Sequence, residues 1–231
     1  MSSDKPLILD FAQTDEMKLI FPRPAILSSH GAKWEGIHVE YHCQPPTEYP
    51  EQYYQQHAIG LMLNSAIIKG IENGKHHNSE RWYNGDMFIG AAGNNYRLHT
   101  IEEHEFIALA LNPTDFDNTV CESTNSNPIE IIPQWQIRDP LIHGIALTLK
   151  TELESGGLNG TLYVDALKNA LSIHILCRYS QKPNLLDFEG SSDASKMQIV
   201  IDYINDCINR ELYLSDLAKL VQLRYPLNNS G

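Results

Sequence analysis

At 231 residues, with 42% hydrophobic and 20% charged side chains, the chain reads as a folded protein rather than a disordered one, long enough to bury a core without disulfides or metal. No apolar run approaches the roughly 20 residues that span a bilayer, and Met1 to Asp10 lacks the basic start and long apolar stretch of a secretion signal, so the expected location is the cytoplasm with no membrane partner. The net charge of −12 argues against a surface devoted to nucleic acid: residues 1–138 carry 9 Lys+Arg against 18 Asp+Glu, residues 139–195 carry 4 against 7, and only residues 196–231, with 4 against 4, are not acidic.

From Ile26 to about Pro113 short strands alternate with turn residues, the pattern of an antiparallel sandwich or barrel. Gly36 to His42 sets Ile37, Val39 and Tyr41 against His38, Glu40 and His42, a half-buried strand with one face inward. Ala58 to Leu63 is an apolar run of strand length, and Ala66 to Ile71 leads into Asn73-Gly74, a strong hairpin signal. A turn at Asn84-Gly85-Asp86 re-enters a strand, and Glu105 to Leu111 closes the series, for five or six strands in all.

After Pro133 the period changes. Asp139 is a helix cap with Pro140 in the first turn, Leu141, Ile145, Leu149 and Leu153 recur every four residues, and Gly156-Gly157 stops the helix. A second helix, about Leu162 to Tyr179, gathers Ala166, Leu167, Ala170, Leu171, His174 and Ile175 on one face. Gln181 to Ser192 mixes Pro, Gly, Ser and acidic residues as a linker does, and Met197, Val200, Ile201, Ile204 and Ile208 begin a further helix, followed by one capped at Ser215.

Cys43, Cys121, Cys177 and Cys207 are dispersed, with no C-x-x-C pair and no histidine at ligand spacing, so neither a disulfide framework nor a zinc site is expected. No Ser-His-Asp, Cys-His or phosphate-loop signature is present. No catalytic residue, metal or cofactor is therefore expected, and the chain is expected not to be an enzyme. Trp34, His38, His57 and Trp82, with His42, could line a pocket for a small effector; the alternative for each is packing inside the β-domain or on its rim. His76-His77, beside the Asn73-Gly74 turn, is expected in solvent, and His174 is read as a histidine that packs the helices together.

Ile201-Asp202-Tyr203-Ile204-Asn205 followed by Leu212-Tyr213-Leu214-Ser215-Asp216-Leu217-Ala218 resembles the opening of an AraC-type DNA-binding domain. Arg138 to Ile142, Thr161 to Leu167 and Ala170 to His174 resemble the helical region before it, and Gly85-Asp86 at a strand start matches the family's strand-rich sensor. The resemblance implies an α+β protein: a cupin-like antiparallel β-barrel effector-sensing domain over residues 1–138, an antiparallel helical pair at 139–180 serving as a homodimer surface, a linker at 181–193, and a helix-turn-helix from 194 to 231. It implies a transcription regulator that senses an effector of unknown identity and binds DNA, with Ser215, Leu217, Ala218 and Val221 as the DNA-binding remnant. The sequence departs from the family after Leu223: Arg224-Tyr225-Pro226-Leu227-Asn228-Asn229 favours a turn where a recognition helix is expected, so the helix-turn-helix reads as truncated and DNA binding as impaired.

Two other readings accompany this one. The first is a ligand-sensing or dimerising module without DNA binding. The second is a cupin enzyme. Metal-binding cupins place His-x-His and a Glu on one strand and a further His after a Gly-Asp hairpin, whereas His57 has no His two residues on and Ala91 to Tyr96 holds no imidazole.

Overall fold

The computed structural model describes residues 5–13, 17–114 and 130–181. The chain divides into two compact units, Met1–Pro183 and Asn184–Gly231, and the described residues all belong to the first. The expected linker beyond Gln181 and the DNA-reading segment with Ser215, Leu217, Ala218 and Val221 lie outside the described residues.

Twelve strands are present among the described residues: β1 (Leu7–Leu9), β2 (Leu27–Ser28), β3 (Ile37–Gln44), β4 (Thr47–Glu48), β5 (Gln52–Tyr54), β6 (His57–Met62), β7 (Ala66–Glu72), β8 (Lys75–Trp82), β9 (Met87–Gly90), β10 (Asn95–Thr100), β11 (His104–Leu111) and β12 (Gln134–Ile137). One six-stranded sheet runs β1-β5-β10-β7-β8 with β4 also on β10, and the other runs β12-β9-β6-β11-β3-β2. Every ladder is antiparallel except β1 on β5. The expectation of a β-rich domain with two following helices is met in this coarse form, with the strands in two separate ladders.

Strand alternation divides the second sheet into two faces. Register pairs Glu40 with Ala108 and Ala108 with Gly60, so His38, Glu40, His42 and Gln44 share a face with Phe106, Ala108, Ala110, Ala58, Gly60 and Met62. Ile37, Val39, Tyr41, Ile107, Leu109, Leu111, Ile59 and Leu61 share the other. The alternation expected for β3 is present, but Val39, Glu40, His42 and Gln44 are all buried. Both faces are covered, and on β3 the polar side chains are those turned toward the other sheet.

Helix α1 (Pro140–Glu154) covers the outer face, packing on β2, β3 and β11. Lys150 lies over the Tyr41 ring, 4.6 Å from its centroid. Asp139 caps the helix, accepting from the N–H groups of Leu141 and Ile142, with Pro140 in the first turn where its missing N–H costs nothing. Beyond Glu154 the chain reverses in six residues, Ser155 to Gly160, in which Gly156 and Gly157 hold φ of +73° and +80°, a region closed to most side chains. Helix α2 (Thr161–Tyr179) buries Val164, Leu167, Leu171, Ser172, Ile175 and Leu176. Ala166, Ala170 and His174, expected on that face, are only half-buried, so the apolar stripe is turned toward Val164 and Leu176.

Asp139 also joins the two helices: its other oxygen accepts from His174 Nε2 at 2.7 Å and from the Tyr179 hydroxyl at 2.7 Å. Burial pushes this carboxyl up, but the His174, Tyr179 and helix N–H bonds outweigh burial and hold it well below the usual carboxylate range. Asp86 does the same between hairpin and helix entry, accepting from Tyr83 N–H, Gln136 and Arg138.

The Asn73-Gly74 hairpin forms as expected, with φ of +45° and +82° in the two-residue loop between β7 and β8. His76 is exposed, but His77 is largely covered: it stacks on Trp135 at 4.3 Å and bonds Glu72. Trp135 in turn lies across Gly70, where an added Cβ would fall 2.2 Å from the indole. This contact brings β12 of one sheet against β7 of the other.

Candidate functional site

Between the sheets lies a cavity of about 80 Å³, far more than the ~10–15 Å³ one water needs. β5, β7, β8 and β10 line it from one sheet and β6, β9 and β11 from the other. The space exists because Ala58, Gly60 and Ala108 put small side chains at the centre of the second sheet while aromatic rings stand around them. An added Cβ at Gly60 would fall 2.6 Å from the Phe88 ring, which would have to shift to admit it. Phe11, Ile20 and Phe21, from the N-terminal stretch, cover one side.

Few polar groups reach this wall, and two of them engage each other. The Tyr49 hydroxyl lies 2.9 Å from His104 Nε2, while His104 Nδ1 lies 3.2 Å from the Glu102 carbonyl, so Nδ1–H donates to the carbonyl and Nε2 accepts from Tyr49. Burial lowers the His104 pKa and raises that of Tyr49, keeping both neutral. Thr100 exchanges hydrogen bonds with the backbone of Thr47. The surface offered to a guest is therefore apolar and ring-rich, with Gln52, Thr100 and the Tyr49–His104 pair as its polar marks.

Beside the cavity, on the same face of the second sheet, lies a buried polar cluster. His42 stacks on Phe106 and packs at a tilt against Phe21, both cavity-lining rings. Its Nδ1 accepts from Gln44 at 3.1 Å and its Nε2–H donates to Glu40 Oε2 at 2.8 Å. Gln44 is fixed in turn by the backbone of Arg23. The other Glu40 oxygen accepts from Ser28 at 3.0 Å and faces His38 Nε2 at 3.5 Å. Burial raises the Glu40 pKa, but the facing His38 and His42 rings prevail and hold it at about 2. Three side chains here, His30, His38 and Glu40, stand close enough to share a cation.

Of the residues expected to bind an effector, the structure places Trp82 on the cavity wall. His38 belongs to the polar cluster. Trp34 is half-buried in the loop before β3 and does not line the cavity. His57 alternates with Ala58 and Gly60 along β6 and does not line it either; its Nδ1 accepts from the Ala92 N–H at 3.1 Å, and burial pushes its pKa down to about 4. Phe11, Phe21, Tyr49, Phe88, His104 and Phe106 were legible only as scattered aromatic residues, because the topology and not their spacing brings them together.

No protein-family profile matches the chain, and no curated protein matches it. Partial likenesses to solved structures exist. A mutant Bacillus subtilis oxalate decarboxylase matches at 14% identity and TM-score 0.31 over 38% of this chain and 24% of its own. A salicylate 1,2-dioxygenase mutant from Pseudoaminobacter salicylatoxidans in complex with gentisate matches at 16% and 0.28 over 32% and 20%. A conserved Streptococcus pyogenes protein of unknown function matches at 12% and 0.29 over 35% and 68%. This chain thus spans about a quarter of the oxalate decarboxylase, and likenesses of this size assign neither family nor activity. Two of the three are enzymes, so these likenesses give no support to the expectation that this chain is not an enzyme, and that expectation is withdrawn. That expectation rests on missing linear motifs, which say nothing of polar groups that strand pairing gathers, as it gathers His38, Glu40 and His42.

Proposed function

We propose that this unit is the effector-sensing part of an AraC-type transcription regulator, with a cupin-like fold, and that its effector is a small, largely apolar, ring-bearing molecule held between the two sheets. The cavity carries this reading: small side chains inside a collar of aromatic rings, with few polar groups to orient a guest. The AraC part draws support from the residue resemblance at Arg138 to His174 and Ile201 to Ala218, and from the succession of a β-rich unit and two helices.

Effector binding shifts the balance between two presentations of the helices and DNA reader only through a difference in affinity for the two. The wall offers a route for this, because β11 carries Phe106 and Ala108 on the cavity face and Ile107 and Leu109 on the face under α1. The helical pair is also proposed as a homodimer surface. Leu147, Leu158 and Leu162 remain 37%, 83% and 71% exposed on it, apolar area that a second copy would cover.

The test is a calorimetric titration of the full chain with indole and with benzoate, followed by anisotropy of labelled upstream DNA with and without the bound compound. Saturable binding of indole that is abolished in Ala108→Phe, together with a change in DNA affinity, is the expected result. Binding left unchanged by Ala108→Phe contradicts the assignment of the site, and DNA affinity indifferent to a bound effector contradicts its regulatory role. Light scattering at tens of micromolar should give a dimer; a monomer removes the helical pair from that role.

A further inference from the structure

We propose that His30, His38 and Glu40 form a binding site for a divalent transition-metal ion of the zinc class, separate from the effector cavity. One ligand atom from each of the three lies within 4.8 Å of the other two. They come from the 3-10 turn Ser29–Gly31 and from β3, and all are enclosed, with side-chain exposures of 15%, 12% and 5%.

The hydrogen bonds around the cluster are arranged as an outer shell and lack a centre. His38 Nδ1 is 2.9 Å from Ser29 Oγ, and His30 Nδ1 is 2.7 Å from Ser28 Oγ. The Ser28 hydroxyl proton is committed to Glu40, so Ser28 Oγ accepts from His30 Nδ1–H. Ser29 Oγ already accepts from the Val39 N–H and has a second lone pair for His38 Nδ1–H. With an ion bound, Nδ1 is protonated in both rings and each Nε2 offers its lone pair to the ion. Both Nε2 atoms are buried, and neither has a hydrogen-bond partner among the described residues.

Such an arrangement is costly unless something positive lies between. An unpaired buried ring nitrogen forfeits its hydration, and His38 Nε2 lies 3.5 Å from the Glu40 carboxylate without hydrogen-bond geometry. That separation is the edge a tetrahedral ion requires: with bonds of ~2.0–2.1 Å to nitrogen and oxygen, adjacent ligand atoms stand ~3.3 Å apart. Two imidazoles and one carboxylate form a donor set for zinc with a fourth position open to water. Each donor has its outer partner, Ser28 on His30, Ser29 on His38 and His42 on Glu40, as ligands of bound metals do.

The full chain, stripped with EDTA and titrated with Co2+ as a coloured stand-in for Zn2+, tests this. The expected result is one equivalent bound with the visible absorption of a four-coordinate ion, displaced by Zn2+. His30→Ala and His38→Ala abolish that absorption, Glu40→Gln weakens binding by roughly 100-fold or more, and His76→Ala, at an exposed histidine, leaves it unchanged. Absence of the absorption in the wild-type chain, or its persistence in His30→Ala and His38→Ala, overturns the proposal. Should those variants fail to fold, long-range proton–nitrogen spectra of the wild-type imidazoles decide. Zn2+ is expected to move two ring Nε2 resonances, those of His30 and His38, and their indifference to Zn2+ overturns the site.

Discussion

Strand β11 has a different neighbour on either side, and the contrast separates storage of space from storage of polarity. Toward β6 its inner face meets Ala58, Gly60 and Met62, and the result is an apolar cavity. Toward β3 it meets His38, Glu40 and His42, and the same inner face is filled by polar groups that largely satisfy one another. One register builds both. What differs is side-chain volume on one side and hydrogen-bonding capacity on the other, so the two halves should fail in different ways.

The largest effect is expected from Glu40→Ala in metal-free protein. It leaves the buried His42 and Ser28 donors without their acceptor, at about 1–3 kcal/mol each. Urea denaturation reads it, and a loss below about 1 kcal/mol would show that the polar half is loosely solvated.

Next comes acid. The folded-state pKa of His57 is depressed from 6.5 to about 4 by burial, so its contribution is complete above pH 6.5 and is lost as pH falls toward 4. The shift corresponds to about 3 kcal/mol. Urea midpoints measured from pH 7 to 4 should fall accordingly, and should fall less in His57→Gln, which keeps an acceptor for Ala92; equal slopes in the two proteins would remove His57 as the cause.

Asp139→Ala is expected to cost about 2 kcal/mol through the lost cap and the bonds from His174 and Tyr179. Because the folded pKa of Asp139 is depressed, its contribution is present above the carboxylate range near pH 4 and disappears below it. Loss of helical circular dichroism on acidification only in the wild-type chain, and not in Asp139→Ala, would read this directly. The smallest stability change belongs to Ala108→Phe, less than about 1 kcal/mol because the new ring enters existing space; a larger cost would mean that the space is not there.

The legible parts of this fold were those with local causes. Asp139-Pro140 and Gly156-Gly157 mark both ends of α1 within a residue, and Asn73-Gly74 fixes the β7–β8 loop, because capping and positive φ are decided by neighbouring atoms. β8 carries no sequence signal of its own, because Lys75 to Arg81 is polar and mostly exposed and shows no apolar alternation. β10 and β12 carry too few apolar residues at regular spacing. The site was less legible than the fold. Phe11, Tyr49 and Phe106 line one cavity from segments far apart in sequence, and His30 meets Glu40 only because the 3-10 turn folds back over β3. Trp82 reached the wall as a large apolar residue at the end of a strand; nothing local distinguished it from Trp34.

The central claim is that the space between the sheets is a dry, apolar binding chamber. A crystal of the protein pressurised with xenon tests it most directly, since apolar cavities take up xenon and polar ones hold ordered water. The account predicts a xenon atom between Phe106, Ala108 and Trp82 in the wild-type chain and its absence from Ala108→Phe. Ordered waters bonded across that space, with no xenon, would contradict it.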